Sequence, residues 1–173
     1  MPGPPEGIDL ARHRDSLGGR PLFRYVVLSV VLGLLVLGLA DVFGQNSQRS
    51  VAESSAARLE VDAPIAVRGG LFFQGRFRIE ARRPLEHATL VLERGWQEQL
   101  SINTIVPAPV GEESRDGRLA LDFGAIRPGE VVVAYLQFQV NPAQWYERRP
   151  QDVLLAEGDA TLVRIQRTLT VYP

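Results

Sequence analysis

Tyr25 to Ala40 reads YVVLSVVLGLLVLGLA, sixteen residues without a charge. If Arg24 and Asp41 are tolerated, the apolar character extends over residues 22–43. As a helix these residues would reach about 33 Å at ~1.5 Å per residue, close to the ~30 Å hydrocarbon thickness of a bilayer. Arg24 can snorkel toward one interface and Asp41 lies within reach of water at the other. A helix that is apolar on every face needs lipid or protein around it, and the rest of this chain has the pattern of strands. A single transmembrane α-helix is therefore predicted over residues 22–43. Ser29, Gly33 and Gly38 leave small notches on it, but there is no GxxxG and no central charge to suggest transport.

Arg12, Arg14, Arg20 and Arg24 precede the segment, while only Arg49 and Arg58 follow within about 15 residues of it. This asymmetry keeps the N-terminus in the cytoplasm and exports everything after Phe43, which places the protein in the plasma membrane with an extracytoplasmic C-terminal part. A cleaved signal peptide is the alternative, since Gly38-Leu39-Ala40 offers the small residues a signal peptidase inspects. Against cleavage, the stretch exceeds a usual h-region of about 7 to 15 residues, and Val42-Phe43 resumes apolar character. Residues 1–21, rich in proline and glycine, are expected to be a disordered cytoplasmic tail. Residues 44–57, polar and serine-rich, have the composition of a juxtamembrane linker, which leaves 58–173 as the exported domain.

From Arg58 onward the apolar period becomes alternating. In LFFQGRFRIEARR, Leu71, Phe73, Phe77, Ile79 and Ala81 share one face, while Phe72, Gln74, Arg76, Arg78, Glu80 and Arg82 share the other. Shorter alternations appear at Ala88, Leu90 and Leu92, at Leu100 and Ile102, and at Leu119, Leu121 and Phe123. Arg127-Pro128-Gly129-Glu130 has proline and glycine where a type II turn needs them, and a long strand with Val132, Ala134, Leu136, Phe138 and Val140 follows. A last hairpin turns near Gly158-Asp159, after which Val163, Ile165, Leu169 and Val171 share a face. Seven to eight strands with no helix among them predict an all-β fold, an immunoglobulin-like antiparallel β-sandwich behind the single helix; a small closed barrel would alternate similarly.

Thr89-Leu90-Val91-Leu92 followed by Gly95-Trp96, and LALDFGAIRPGE leading into VVVAYLQFQV, resemble the immunoglobulin-like modules of bacterial surface proteins. The resemblance spans Leu59 to Tyr172. It implies a bacterial envelope protein with one such module, a fold used for binding and spacing more than for catalysis. Those modules usually come in tandem; the single unit here favours a private partner over a stalk.

Chemistry is sparse. With 19 basic and 20 acidic residues the formal charge is −1, which excludes a nucleic-acid binder working through a basic surface. There is no cysteine, hence no disulfide, thiolate metal site or thiol nucleophile, and every basic residue is an arginine, which removes Schiff-base chemistry. His13 falls in the tail, so His87 is the one histidine in the exported part, and it is expected as a surface residue at the start of a strand. Glu112, Glu113 and Asp116 cluster in VGEESRDG without the alternation of a calcium loop, and are expected in a solvated hairpin loop. No catalytic group, metal site or small-molecule cofactor follows from these residues.

Aromatics beside arginines are better candidates for recognition, since they supply contact area with few rotamers to lose and charge for an acidic partner. Trp96 follows Gly95 at a predicted turn, and Trp145, Tyr146, Arg148 and Arg149 lie in PAQWYERRP, read as a loop. Phe72 is a further possible contact. The expected function is a non-catalytic, membrane-anchored binding module for another envelope or membrane protein. The alternative is a cell-wall or glycan-binding module, secreted if the leader is cleaved.

Overall fold

The computed structural model describes residues 21–39, 47–143 and 145–173. Of the tail expected over 1–21, residues 1–20 lie outside the described residues and Pro21 begins the helix; the segment end at 40–43, Asp41 included, also lies outside them. The chain divides between Gly44 and Gln45 into two units.

In the first unit, Pro21–Leu39 forms α1. Its leucines and valines are exposed along its length, Leu22 to 76% and Leu39 to 89%. The stretch Leu22–Leu39 is long and apolar enough to cross a membrane or to serve as a signal sequence.

The second unit is an immunoglobulin-like β-sandwich. Thirteen strands are described, more than the seven or eight expected, because several short pairings are invisible to a periodicity test. One five-stranded sheet has the order β1 (Ser47–Glu53), β2 (Ala57–Pro64), β4 (Phe72–Ala81), β9 (Val131–Val140), β6 (Leu100–Val106). The facing five-stranded sheet runs β12 (Ala160–Ile165), β11 (Val153–Glu157), β5 (Thr89–Leu92), β8 (Arg118–Asp122), β7 (Gly111–Arg115). A smaller sheet joins β10 (Glu147–Pro150), β13 (Thr168–Tyr172) and β3 (Ala66–Arg68). All pairings are antiparallel except β13 with β3.

The core forms where inward positions of the sheets meet. Phe77, Ile79, Leu136 and Phe138 from one large sheet, Leu90, Leu121 and Leu155 from the other, and Val67, Leu169 and Val171 from the small one belong to a single buried cluster. Val163, Ile165, Leu169 and Val171 are all buried, but they do not form one strand face: at Gln166-Arg167 the chain crosses from β12 in one sheet to β13 in another. Gly129 has φ of +82°, and the Glu130 N–H donates to the Arg127 carbonyl at 3.0 Å, closing the turn expected there.

Three expectations need correction. Part of the presumed linker 44–57 is β1, an edge strand whose polar composition reflects an exposed face; a Ser54 hydroxyl accepting the Ala56 and Ala57 N–H groups at 3.2 and 3.3 Å turns it into β2. The acidic segment VGEESRDG is not a loop either: Gly111–Arg115 is β7 and pairs with β8 through a two-residue turn, with Asp116 at φ 52° and Gly117 at φ 75°. PAQWYERRP likewise contains β10.

Candidate functional site

The sites expected for recognition separate according to strand alternation. On β10, Arg148 pairs in register with Thr170 and Arg149 with Leu169, so their side chains leave opposite faces of the sheet. Arg148 is exposed, whereas Arg149 is 2% exposed. The Arg149 guanidinium donates to the Glu98 carbonyl and, at 2.8 Å, to Glu147 Oε2. It holds the fold together and is not presented to a partner.

Trp96 is corrected in the same way. The turn Arg94–Trp96 tucks it wholly inside, where its ring packs 5.3 Å from Phe77 and 5.1 Å from Phe138, and Phe138 stacks in turn on Phe73 at 5.0 Å. Its Nε1–H donates to the Gln151 carbonyl at 3.0 Å, and Gln151 Nε2 donates back to the Gly95 carbonyl at 3.2 Å. A tryptophan after a glycine turn offers no sequence signal separating core from surface; the deciding feature is that Gly95 lets the turn lie directly on β10.

Trp145 and Tyr146 remain on the surface, 82% and 60% exposed. The Tyr146 ring lies 5.7 Å from that of Tyr172, at 58°. Tyr172 shares the outward parity of Thr168 and Thr170 on β13, and Arg68 on β3 is its register partner. The outer face of the small sheet thus presents Tyr146, Arg148, Thr168, Thr170, Tyr172 and Arg68 together. Beside it lies a depression of about 530 Å³ lined by Gln48, Ser50, Ile65, Arg148, Thr170 and neighbouring residues, with Arg167 among them. Tyr172 and Thr170 were legible as outward positions of TLTVY. Arg68 was not, since its place depends on a parallel pairing between segments about a hundred residues apart.

Arg167 fixes one wall of that depression. It is 7% exposed, and its guanidinium donates to the carbonyls of Gln48 (2.9 Å), Val61 (3.3 Å) and Ala63 (2.5 Å) and to Ser50 Oγ (3.1 Å). Burial holds it below the ordinary arginine value, and the nearby charge of Asp62 opposes that. Asp152 is equally committed. Its Oδ2 accepts from Arg164 Nη2 at 2.6 Å and Nε at 3.2 Å, its Oδ1 accepts the Arg167 N–H at 3.1 Å, and the hydrogen bond that Arg164 donates to Asp152 raises the Arg164 value.

Most charges on the other surfaces are paired, although Arg58 and Arg76 each have a buried Nε without a hydrogen-bond partner. On the outer face of the β1–β2–β4 half-sheet, Arg49 pairs with Glu60 at 3.2 Å, Arg78 with Glu80 at 2.8 Å, and Arg82 with Glu53. Phe72 is 52% exposed at the far end of β4, where the register with β9 is unbroken. His87 is exposed, and its Nδ1 lies 2.8 Å from Asp122 Oδ2; Asp122 Oδ1 accepts the Gly124 N–H at 2.7 Å. This pair borders a depression of about 340 Å³ with Glu112, Glu113 and Arg115, the last two joined to each other. Among the described residues lining it, the one hydroxyl is that of Thr89, which is 3% exposed. Among the described residues no group of three or more histidines and carboxylates is arranged to hold a metal ion.

No protein-family model matches the chain, and no curated protein matches it in sequence. Solved structures similar to it include the cohesin module of a family 33 glycoside hydrolase from Clostridium perfringens, at 14% identity and a TM-score of 0.43, covering 69% of this chain and 98% of that one. CaCohA2 from Clostridium acetobutylicum is similar at 11% identity and a TM-score of 0.46, over 74% and 92% of the two chains. AvmM, which catalyses macrocyclization in alchivemycin A biosynthesis, is similar at 10% identity and a TM-score of 0.43, over 75% and 90%. At such identities and scores the likeness transfers no ligand, partner or activity.

Proposed function

We propose that this is a non-catalytic binding protein of the bacterial envelope, held in the plasma membrane by the apolar segment over residues 22–43 and presenting its sandwich, residues 58–173 together with β1, outside the cell. The partner is another envelope or membrane protein, and it docks on the outer face of the β10–β13–β3 sheet through Trp145, Tyr146 and Arg148. The observation that supports this most is the 82% exposure of Trp145 next to the Tyr146–Tyr172 pair. A folded domain gains by burying such rings, and large exposed aromatics gathered on one face are the usual anchors of an interface. Four arginines before the apolar segment against two shortly after it support an inside N-terminus.

The test is affinity capture of the full-length protein from gently solubilised membranes, with the double variant W145A/Y146A beside it. A stoichiometric membrane-protein partner should accompany the wild type and be lost from the variant, with the melting temperature unchanged. Retention of the partner by the variant refutes the docking face. Retention of the protein on purified wall material, abolished by the same substitutions, would replace this reading with the glycan-binding one. An epitope at Pro173 should be cleaved by protease added to intact cells, and protection would refute the topology.

A further inference from the structure

Eleven of the fifteen arginines of the sandwich are committed. Arg49, Arg78, Arg82, Arg83, Arg115, Arg118, Arg127 and Arg164 pair with carboxylates, Arg94 donates to the Asp116 carbonyl, and Arg149 and Arg167 are buried in their own hydrogen bonds. Among the described residues of this unit, Arg58 on β2 and Arg76 on β4 lack hydrogen bonds and ion pairs but are half-buried, and the exposed arginines with neither are Arg68 and Arg148. Both lie on the outer face of the small sheet, on either side of β13. In register, Arg148 stands opposite Thr170, which is paired with Ala66, and Arg68 is two residues farther along β3, opposite Tyr172. Two strand spacings of ~4.8 Å and a two-residue offset at ~3.3 Å each separate their backbones by about 12 Å.

We propose that this face takes an extended acidic peptide segment of the partner, with one carboxylate on Arg68, another on Arg148, and the intervening chain against Tyr146 and Tyr172. The inference rests on the docking face above and adds the chemistry of what docks. In an extended peptide, side chains four residues apart on one side lie about 13 Å from each other, which matches the separation of the two guanidinium-bearing positions. Each guanidinium can grip a carboxylate with two parallel hydrogen bonds. Among the described residues lining the adjoining depression the one acid is Asp152, and it is occupied by Arg164 and by the Arg167 N–H. An anionic lipid surface fits less well, since such surfaces are engaged by clusters of roughly 4–8 basic residues rather than by two set apart beside a depression.

The probe is a fluorescein-labelled, amidated eight-residue peptide of serine and threonine with glutamate at its second and sixth positions, compared with the same peptide carrying glutamine there. Polarisation is read on full-length protein in detergent. The glutamate peptide should bind saturably and the glutamine peptide about tenfold more weakly; R68Q and R148Q should each lose about fivefold, without change in melting temperature. Absence of saturable binding, equal affinity for both peptides, or indifference to both substitutions overturns the proposal. In the capture experiment, a partner lost from W145A/Y146A but kept by the double variant R68Q/R148Q sinks the acidic segment while sparing the docking face; a partner kept by both sinks the face itself. An arginine-dependent shift of tryptophan emission in nanodiscs of phosphatidylglycerol, absent in phosphatidylcholine, would assign the arginines to lipid instead.

Discussion

Gly95→Ala adds one methyl group where the turn lies on β10. A Cβ built there would overlap the Pro150 carbonyl oxygen, stand 3.0 Å from its carbon and 3.3 Å from Arg149 Cγ. The obstacle is backbone and not the tip of a flexible side chain, so β10 or the turn must shift by about 1 Å to restore van der Waals distance. Overpacking of this kind costs about 1–3 kcal/mol. The shift also strains the two bonds bracketing the contact, Trp96 Nε1–H to the Gln151 carbonyl and Gln151 Nε2 to the Gly95 carbonyl, each worth about 1 kcal/mol. The total is about 3–5 kcal/mol, which for a unit the size of Gln45–Pro173 lowers the melting temperature by about 10–20 °C. Gly111→Ala is the matched control, since its Cβ would meet only Asp122 Cβ at an ordinary 3.7 Å. Thermal unfolding followed by near-ultraviolet circular dichroism should separate the two variants. Equal melting temperatures would refute the inference that the turn is seated on β10 by the missing side chain.

Quenching by acrylamide should discriminate the two tryptophans: in Trp96→Phe the remaining fluorescence is strongly quenched, in Trp145→Phe it is protected, and similar quenching of both would contradict the burial of Trp96. Gly117→Val, at φ +75°, should destabilise the β7–β8 hairpin by about 1–2 kcal/mol, detectable as a lower urea midpoint. Glu157 is held below its ordinary value of about 4.5, first by the Glu86 N–H and then by Arg83. A depressed carboxylate contributes stability that is present above its unfolded value and is lost as pH falls through its folded one. Wild type should therefore lose slightly more stability than Glu157→Gln on acidification below about pH 4.5, and identical acid limbs would dismiss the contribution. Arg167→Met should cost about 3–5 kcal/mol in a chemical denaturation series, because it leaves the Ala63 and Gln48 carbonyls without their donor; a neutral result would show that water replaces the guanidinium.

The sandwich was legible because its long strands bury one face and solvate the other. β4 and β9 repeat apolar residues at a period of two for ten residues each, and their inward sets are the core. What escaped notice was short, polar or paired at long range. β1 and β7 carry few apolar residues, so composition reads them as linker and loop; yet Asp116-Gly117, the strongest short hairpin signal in the chain, was present in the sequence. The site was half legible for a related reason. Trp145 and Tyr146 could equally have folded back to cap the core, and the sequence offered no signal for their exposure; Arg148 and Arg149 look equivalent until β10 is seen to be a strand, whereupon alternation sends one out and one in. Trp96 looks like Trp145 until the partner of Gly95 is known.

Lack of lysine gives the unpaired pair its meaning. A lysine on a flexible stem is strongly hydrated and commonly left alone in solvent, so an unpaired one says little. Arginine carries a planar fork of five donors, and this chain uses that fork structurally. Arg167 reaches carbonyls of β1 and β2 from the point where the chain changes sheets, Arg115 reaches the Gly158 carbonyl from β7, and Arg83 reaches Glu157 from before β5. In such a molecule an exposed arginine without a partner stands out, the other two that lack one, Arg58 and Arg76, being half-buried. Two of them on one small sheet, with a tyrosine pair on the same face and Trp145 just ahead of β10, concentrate unspent donors and uncovered rings in one place. Removing both charges should leave the fold at its wild-type stability, since neither side chain holds another element. A drop of more than about 1 kcal/mol in R68Q/R148Q would mean that these arginines serve the fold as their neighbours do, and would remove the reason for looking for a partner there.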